Sequence, residues 1–266
     1  TAVYQAPEDS KAATELDALV SNMASAARAA RDERIRVERI AIKLFSVVKA
    51  GNDDFLNVYQ SVWHRIETNE AEGFEQYQKA LMSLKFPGED ARPQRAKTVV
   101  ALFQDAARAK QLYDSAVKKI VVGLQVEVQI PDALKKTPRV VEKMLLRDDA
   151  SECPDMICDL VRGMITASSM AIISAVVAAF AACELIVLVR VKARFVHPSA
   201  GGWRDCMLNF YMRDDPNRHV CEVQLVHETM LTAKGLSGHA VYTRVPTAAA
   251  LFEVPSNGTA PGLPAA

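Results

Sequence analysis

The sequence predicts an α+β fold, a helical N-terminal half followed by a mixed sheet of about five strands flanked by helices. Three observations point there. From residue 9 to about 125, apolar side chains recur at spacings of three and four, the helical period. From residue 126 onward, short apolar or alternating runs of strand length replace them. Of 266 residues half are hydrophobic and 24% charged, with only 11 glycines and 12 prolines, a composition that builds cores rather than low-complexity chain.

The elements follow in order. Asp9 or Ser10 caps a first helix, an Ala- and Arg-rich run ending at Gly51. Asp53 or Asp54 starts the next, with Phe55, Tyr59, Val62 and Ile66 on one face. Phe74, Tyr77, Leu81 and Leu84 form a third stripe, and Phe86 to Pro93 reads as a turn. A fourth helix carries Val99, Phe103, Ala106, Tyr113 and Val117. Beyond it lie a strand at 126–131 and a basic helix opened by Pro138. Strands are then expected at 157–165, 184–195, 208–212 and 220–226, with helices at 168–182 and 228–242. Residues 163–183 carry no charge, yet Arg162 and Glu184 close them tightly, so they read as strand and buried helix rather than a membrane span. Met170, Ile173, Val177 and Phe180 should face inward. The division expected is a helical extension at 1–125, an α/β domain at 126–253 and a Pro/Gly/Ala-rich tail at 254–266.

Composition also excludes. With 32 cationic and 32 acidic side chains, the chain lacks the basic excess of a DNA-binding surface. Five scattered cysteines (153, 158, 183, 206 and 221) form no CxxC pair and no disulfide framework. There is no GxxxxGK[ST], GxGxxG or HExxH motif, and the five histidines lack metal-ligand spacing. A start at Thr1 rather than Met reads as a processed N-terminus, which with the Ala-rich composition leans towards a plastid or mitochondrion, with the cytoplasm as the alternative.

Polar residues gather in three places. Lys135, Lys136, Arg139, Lys143 and Arg147 include three cations four apart, a stripe on one helix face that is either solvated or ligand-facing. Arg190, Lys192 and Arg194 alternate with Val189, Val191 and Ala193, so period two puts the cations on one sheet face. They repel unless anions lie among them, either protein carboxylates or bound phosphates. Asp159 sits in an apolar strand, and Glu222 and Gln224 share one face of another. Those carboxylates either neutralise the basic strand or hold Mg²⁺ together with phosphate oxygens.

In order, these residues resemble a known family. Lys136, Arg139 and Lys143 precede Asp159-Leu160-Val161-Arg162 and then Arg190-Val-Lys192-Ala-Arg194-Phe195. Gly201-Gly202-Trp203-Arg204-Asp205, Glu222-Val-Gln224-Leu225 and Gly238-His239-Ala-Val-Tyr242 follow. Residues 130–245 or so are similar to the RelA/SpoT synthetase domain, which transfers pyrophosphate from ATP to the 3′-hydroxyl of GDP or GTP. The resemblance implies that fold, which is nucleotidyltransferase-like, and guanosine tetraphosphate metabolism. It implies Asp159 as a Mg²⁺ ligand, with Glu222 assisting the metal and acting as general base. By the same resemblance Trp203 stacks on guanine beside Gly202, and Gln224 orients its neighbours. Lys136, Arg139 and Lys143 face ATP phosphates, Arg190, Lys192 and Arg194 neutralise the combined phosphates, and His239 lies near the pocket. The ATP-binding motif is degenerate, since Leu134 stands where the family has its first arginine and a serine is missing. The alternative is therefore a catalytically silent RelA/SpoT-like fold serving as an accessory or scaffold subunit, with protein partners on the helical half.

Overall fold

The computed structural model describes residues 10–87, 94–146, 154–199 and 201–236. The chain falls into two compact units, Thr1–Lys49 and Ala50–Ala266. Helix α1 (Ser10–Asn69) runs through Gly51, where the sequence predicts a stop. One interior glycine costs only about 1 kcal/mol, too little to end a helix without a following cap. Of the first unit, the side chains described along α1 are almost all exposed.

In the second unit, Tyr59, Trp63 and Ile66 of α1 are buried together with Tyr77 of α2 (Ala71–Met82). Helix α3 (Val99–Ile120) begins at Thr98, whose hydroxyl accepts from the Ala101 amide. Its core stripe centres on Leu102, Ala106, Ala109, Tyr113 and Val117, with Val99 and Phe103 at the margin. Strand β1 (Val126–Gln129) and helix α4 (Thr137–Leu146) precede a 3₁₀ turn, Pro154–Met156. Strand β2 (Arg162–Ala167) leads through the Ser169 cap into α5 (Met170–Ala182). Strands β3 (Ile186–Ala193), β4 (Cys206–Met212) and β5 (Cys221–His227) and helix α6 (Glu228–Leu236) complete the described chain.

The five strands form one mixed sheet in the order β1-β2-β5-β4-β3. Only β2 and β5 run parallel. The apolar face, with Leu208, Phe210, Val223 and Leu225 all buried, packs against α3 and α5. Tyr113 of α3 stacks on Phe210 at 5.7 Å, and Phe180 of α5 approaches the same ring at 5.6 Å. Met170, Ile173, Val177 and Phe180 point inward, as their spacing predicts. Among the described residues no helix is long and apolar enough to cross a membrane.

Two strand expectations need correction. Residues 157–161 form a loop, and β2 begins only at Arg162, so Asp159 lies outside the strand predicted for it. That loop is held by the buried Gln94 amide, which donates to the Asp155 and Ile157 carbonyls (2.7 and 3.0 Å) and accepts from the Val220 amide. A loop whose carbonyls are satisfied by a side chain needs no strand neighbour. Likewise β3 ends at Ala193, which leaves Arg194 in the following turn. Residues 88–93 of the predicted turn, Arg147, His239, the far end of the 228–242 helix and the tail lie outside the described residues.

Candidate functional site

Strand register builds the site. Arg162 of β2 aligns with Glu222 of β5, Glu222 with Asn209 of β4, and Asn209 with Arg190 of β3. Aligned residues share a face, so these four make one polar row across the sheet. A slip in register between Leu188 and Arg190 brings Arg190 opposite Asn209. Two residues further along, Met164, Gln224, Met207 and Lys192 make the adjacent row.

Asp159 approaches the first row from the loop before β2, and the Glu222 amide donates to the Val161 carbonyl at 2.9 Å. Two lysines converge on Asp159. Lys143 of α4 donates to Oδ1 at 3.0 Å and Lys135 to Oδ2 at 2.5 Å. The Lys135 backbone amide also donates to the Leu160 carbonyl at 3.1 Å, which seats that segment beside the loop. Asn209, fully buried, accepts a hydrogen bond from Arg190 Nε at its side-chain oxygen (3.0 Å) and donates from its amide to Glu222 Oε2 at 3.4 Å.

The two carboxyl groups are driven apart. Burial alone would raise Asp159, but the Lys143 and Lys135 ammonium groups outweigh it and hold its pKa below the ordinary value. For Glu222, burial comes first and the Asp159 charge second, and both push its pKa up. Burial likewise lowers Lys135 and raises the neighbouring Cys158 thiol. One carboxylate that stays ionised beside another poised to carry a proton is the division of labour that acid–base catalysis uses.

At the other end of the polar face, Trp203 and Arg194 are engaged by the protein's own side chains. Trp203 is 1% exposed, meets Tyr59 edge-on at 5.3 Å, and has the Lys234 ammonium 4.7 Å above its ring. Its indole N–H donates to Asp205 Oδ2 at 2.8 Å. It is a core side chain, with neither face open to a base. A Cβ on Gly202, at φ +78°, would lie 2.9 Å from Leu56 of α1, which already occupies that space. Arg194 forks onto the fully buried Asp205 carboxylate at 2.5 and 2.7 Å, so its anion is a protein carboxylate. Gln224 donates to the same Asp205.

Lys136 and Arg139 are exposed, Lys136 next to Lys135 in the chain and Arg139 one helical turn before Lys143. Sequence reasoning put Lys135 in the basic cluster but carried its neighbour Lys136 into the site, whereas the structure sets Lys135 on Asp159. It passed over Asn209 and Asp205, although a polar residue inside the apolar run Cys206–Met212 was a visible signal for the first.

No family model and no curated protein matches the chain. Among solved structures it is similar to small alarmone synthetase 2 from Bacillus subtilis, with 20% identity and a TM-score of 0.43 over 54% of this chain and 81% of that one. Small alarmone synthetase 1 from the same organism, bound to its product pppGpp, matches at 14% identity and TM-score 0.44 over 57% and 88%. The type VI effector Tas1, in complex with its immunity protein, matches at 19% and 0.41 over 64% and 90%.

Proposed function

We propose that this chain is a RelA/SpoT-like guanosine-nucleotide pyrophosphotransferase centred on Asp159 and Glu222. The observation that carries the reading is the pair itself, with opposed pKa directions, ringed by Lys135, Lys143 and Arg190. Glu222 accepts the proton of the 3′-hydroxyl of GDP or GTP. The freed oxygen bonds to the β-phosphorus of ATP as the α–β bridge breaks, and AMP leaves with the bridging oxygen. Arg190 and Lys192, neighbours on one sheet face, offset the phosphate charge.

The donor set fits Mg²⁺ only with phosphate oxygens included. No cluster of three or more His, Cys, Asp or Glu side chains able to hold a metal occurs among the described residues, whereas one or two carboxylates plus phosphate is the common Mg²⁺ arrangement. Asp159 and Glu222 would hold it, supplying charge neutralisation at the phosphates. Both Asp159 oxygens carry lysines, so metal binding requires one ammonium to turn to the incoming phosphate.

The test is incubation of the full chain with labelled ATP, GDP or GTP and Mg²⁺. Tetra- or pentaphosphate is expected, with Glu222→Gln reducing the rate by about 10²–10⁴, the usual worth of a general base.

A second reading, a silent fold acting as an accessory subunit, is favoured by one observation: the acceptor end is closed by Trp203, Leu56 and the Arg194–Asp205 pair. It predicts no product and no binding of GDP, GTP or ATP at millimolar concentration.

A further inference from the structure

The first unit carries an apolar seam along α1 whose described large side chains are exposed. Heptad a positions fall on Leu16, Met23, Ala30, Val37 and Leu44, all apolar. The d positions are Leu19, Ala26, Glu33, Ile40 and Val47, with one polar exception. A pattern sustained over more than four heptads is a coiled-coil signal, and these residues lie within the continuous helix α1. Leu19, Met23, Val37 and Ile40 are between 52% and 64% exposed. Large apolar side chains repeated along one line of a helix stabilise nothing until a second helix meets them.

The charge pattern selects the occupant. We infer that residues 15–47 pair with the same segment of a second copy as an antiparallel two-helix coiled coil. In the register that sets Leu16 against the copy's Ile40 and Leu19 against its Val37, Ala26 meets Ala30 at the centre, where small side chains let the helices approach. The flanking positions then bring Glu15 to the copy's Lys43 and Asn22 to its Arg36, and the central flanks are alanines, so no like charges oppose. Glu15 and Lys43 are both exposed. In a parallel pair, Glu33 would face Glu33 inside the seam, and none of the flanking positions would bring opposite charges together. In the antiparallel pair it faces Met23, with its own Arg36 at 3.7 Å. One polar d residue thus sets orientation.

Sedimentation equilibrium of the full chain, with far-UV circular dichroism as a folding control, tests this. The wild type should have twice the mass of one chain at micromolar concentration. Val37→Asp/Ile40→Glu should raise the dissociation constant at least about tenfold, equivalent to ~1.4 kcal/mol. Ile35→Gln/Ile42→Gln, exposed residues off the seam, should leave the dimer intact. Glu15→Lys should weaken association, and Glu15→Lys/Lys43→Glu should restore it. A monomeric wild type, or a dimer that survives Val37→Asp/Ile40→Glu, overturns the coiled coil. Failure of the double charge swap to restore association overturns the antiparallel register.

Discussion

An indole that is 1% exposed and hydrogen-bonded to a buried carboxylate must leave the core before it can stack on anything else. Replacing it by alanine removes a large buried ring, typically about 3–5 kcal/mol of stability. Trp203→Ala should therefore lower the urea midpoint without a selective effect on guanosine nucleotide affinity. Unchanged stability together with weaker GDP binding would return Trp203 to the role the resemblance implied. Asp159 is the opposite case, a carboxylate whose two oxygens each take an ammonium group. Asp159→Asn keeps the shape but leaves Lys135 and Lys143 mutually repelling, both half-buried. Loss of stability of roughly 3 kcal/mol or more is expected, in the range for breaking one side of a buried ion pair. Chemical denaturation measures it, and a neutral result would show the three groups to be solvent-screened.

At the scale of elements, the site depends on how closely helices approach the sheet and each other. A Cβ on Gly73 of α2 would lie 2.7 Å from the Ala171 backbone nitrogen and 3.2 Å from the Met170 carbonyl carbon, both in α5. Backbone cannot yield as a flexible side chain can, so Gly73→Ala should destabilise by about 1–3 kcal/mol through overpacking. The same end of α5 is held by Glu70, whose carboxylate accepts from the Met170 amide at 2.6 Å and meets His227 Nε2 at 3.0 Å. Gly163 on β2 has a comparable limit, because a Cβ there would lie 2.7 Å from the Tyr113 hydroxyl, which donates to the Glu222 carbonyl. Gly163→Ala should thus disturb Glu222 from the far side of the sheet. Thermal melts of both variants, with a pyrophosphotransferase assay of the second, check this, and a melt identical to wild type would mean that the layers are looser than these distances require.

For the molecule as a whole, one buried histidine couples folding to pH. His219, 1% exposed, leads into β5, and neither ring nitrogen has a hydrogen-bond partner among the described residues. Burial lowers its pKa to about 4, although Asp215 and Asp105 pull the other way. The folded pKa lies below the unfolded value of about 6.5, so the unfolded chain takes up the proton first. Stability is then full above about pH 6.5 and declines as the pH falls towards 4, by up to about 3 kcal/mol from this group. Urea titrations at pH 7.5 and 5 should differ in wild type and agree more closely in His219→Gln. A wild type equally stable at both values would mean that His219 is solvated when charged.

The sequence by itself determined the kinds and order of elements. Period two and period 3.6 are local properties, and they located α5 with its inward residues, β3 to β5 within about two residues, and the shared face of Glu222 and Gln224. Pairing across the sheet belonged to the tertiary structure. Which anion answers each cation depends on register and loop path, so Lys135 rather than Lys136 reached Asp159, Asn209 came between Arg190 and Glu222, and Arg194 went to Asp205. Burial was decided there as well. Trp203 and Leu56 are far apart in sequence, and only packing α1 against the loop before β4 could place one over Gly202 and close the other into the core, because burial is a property of what else arrives at a position and no local pattern encodes it.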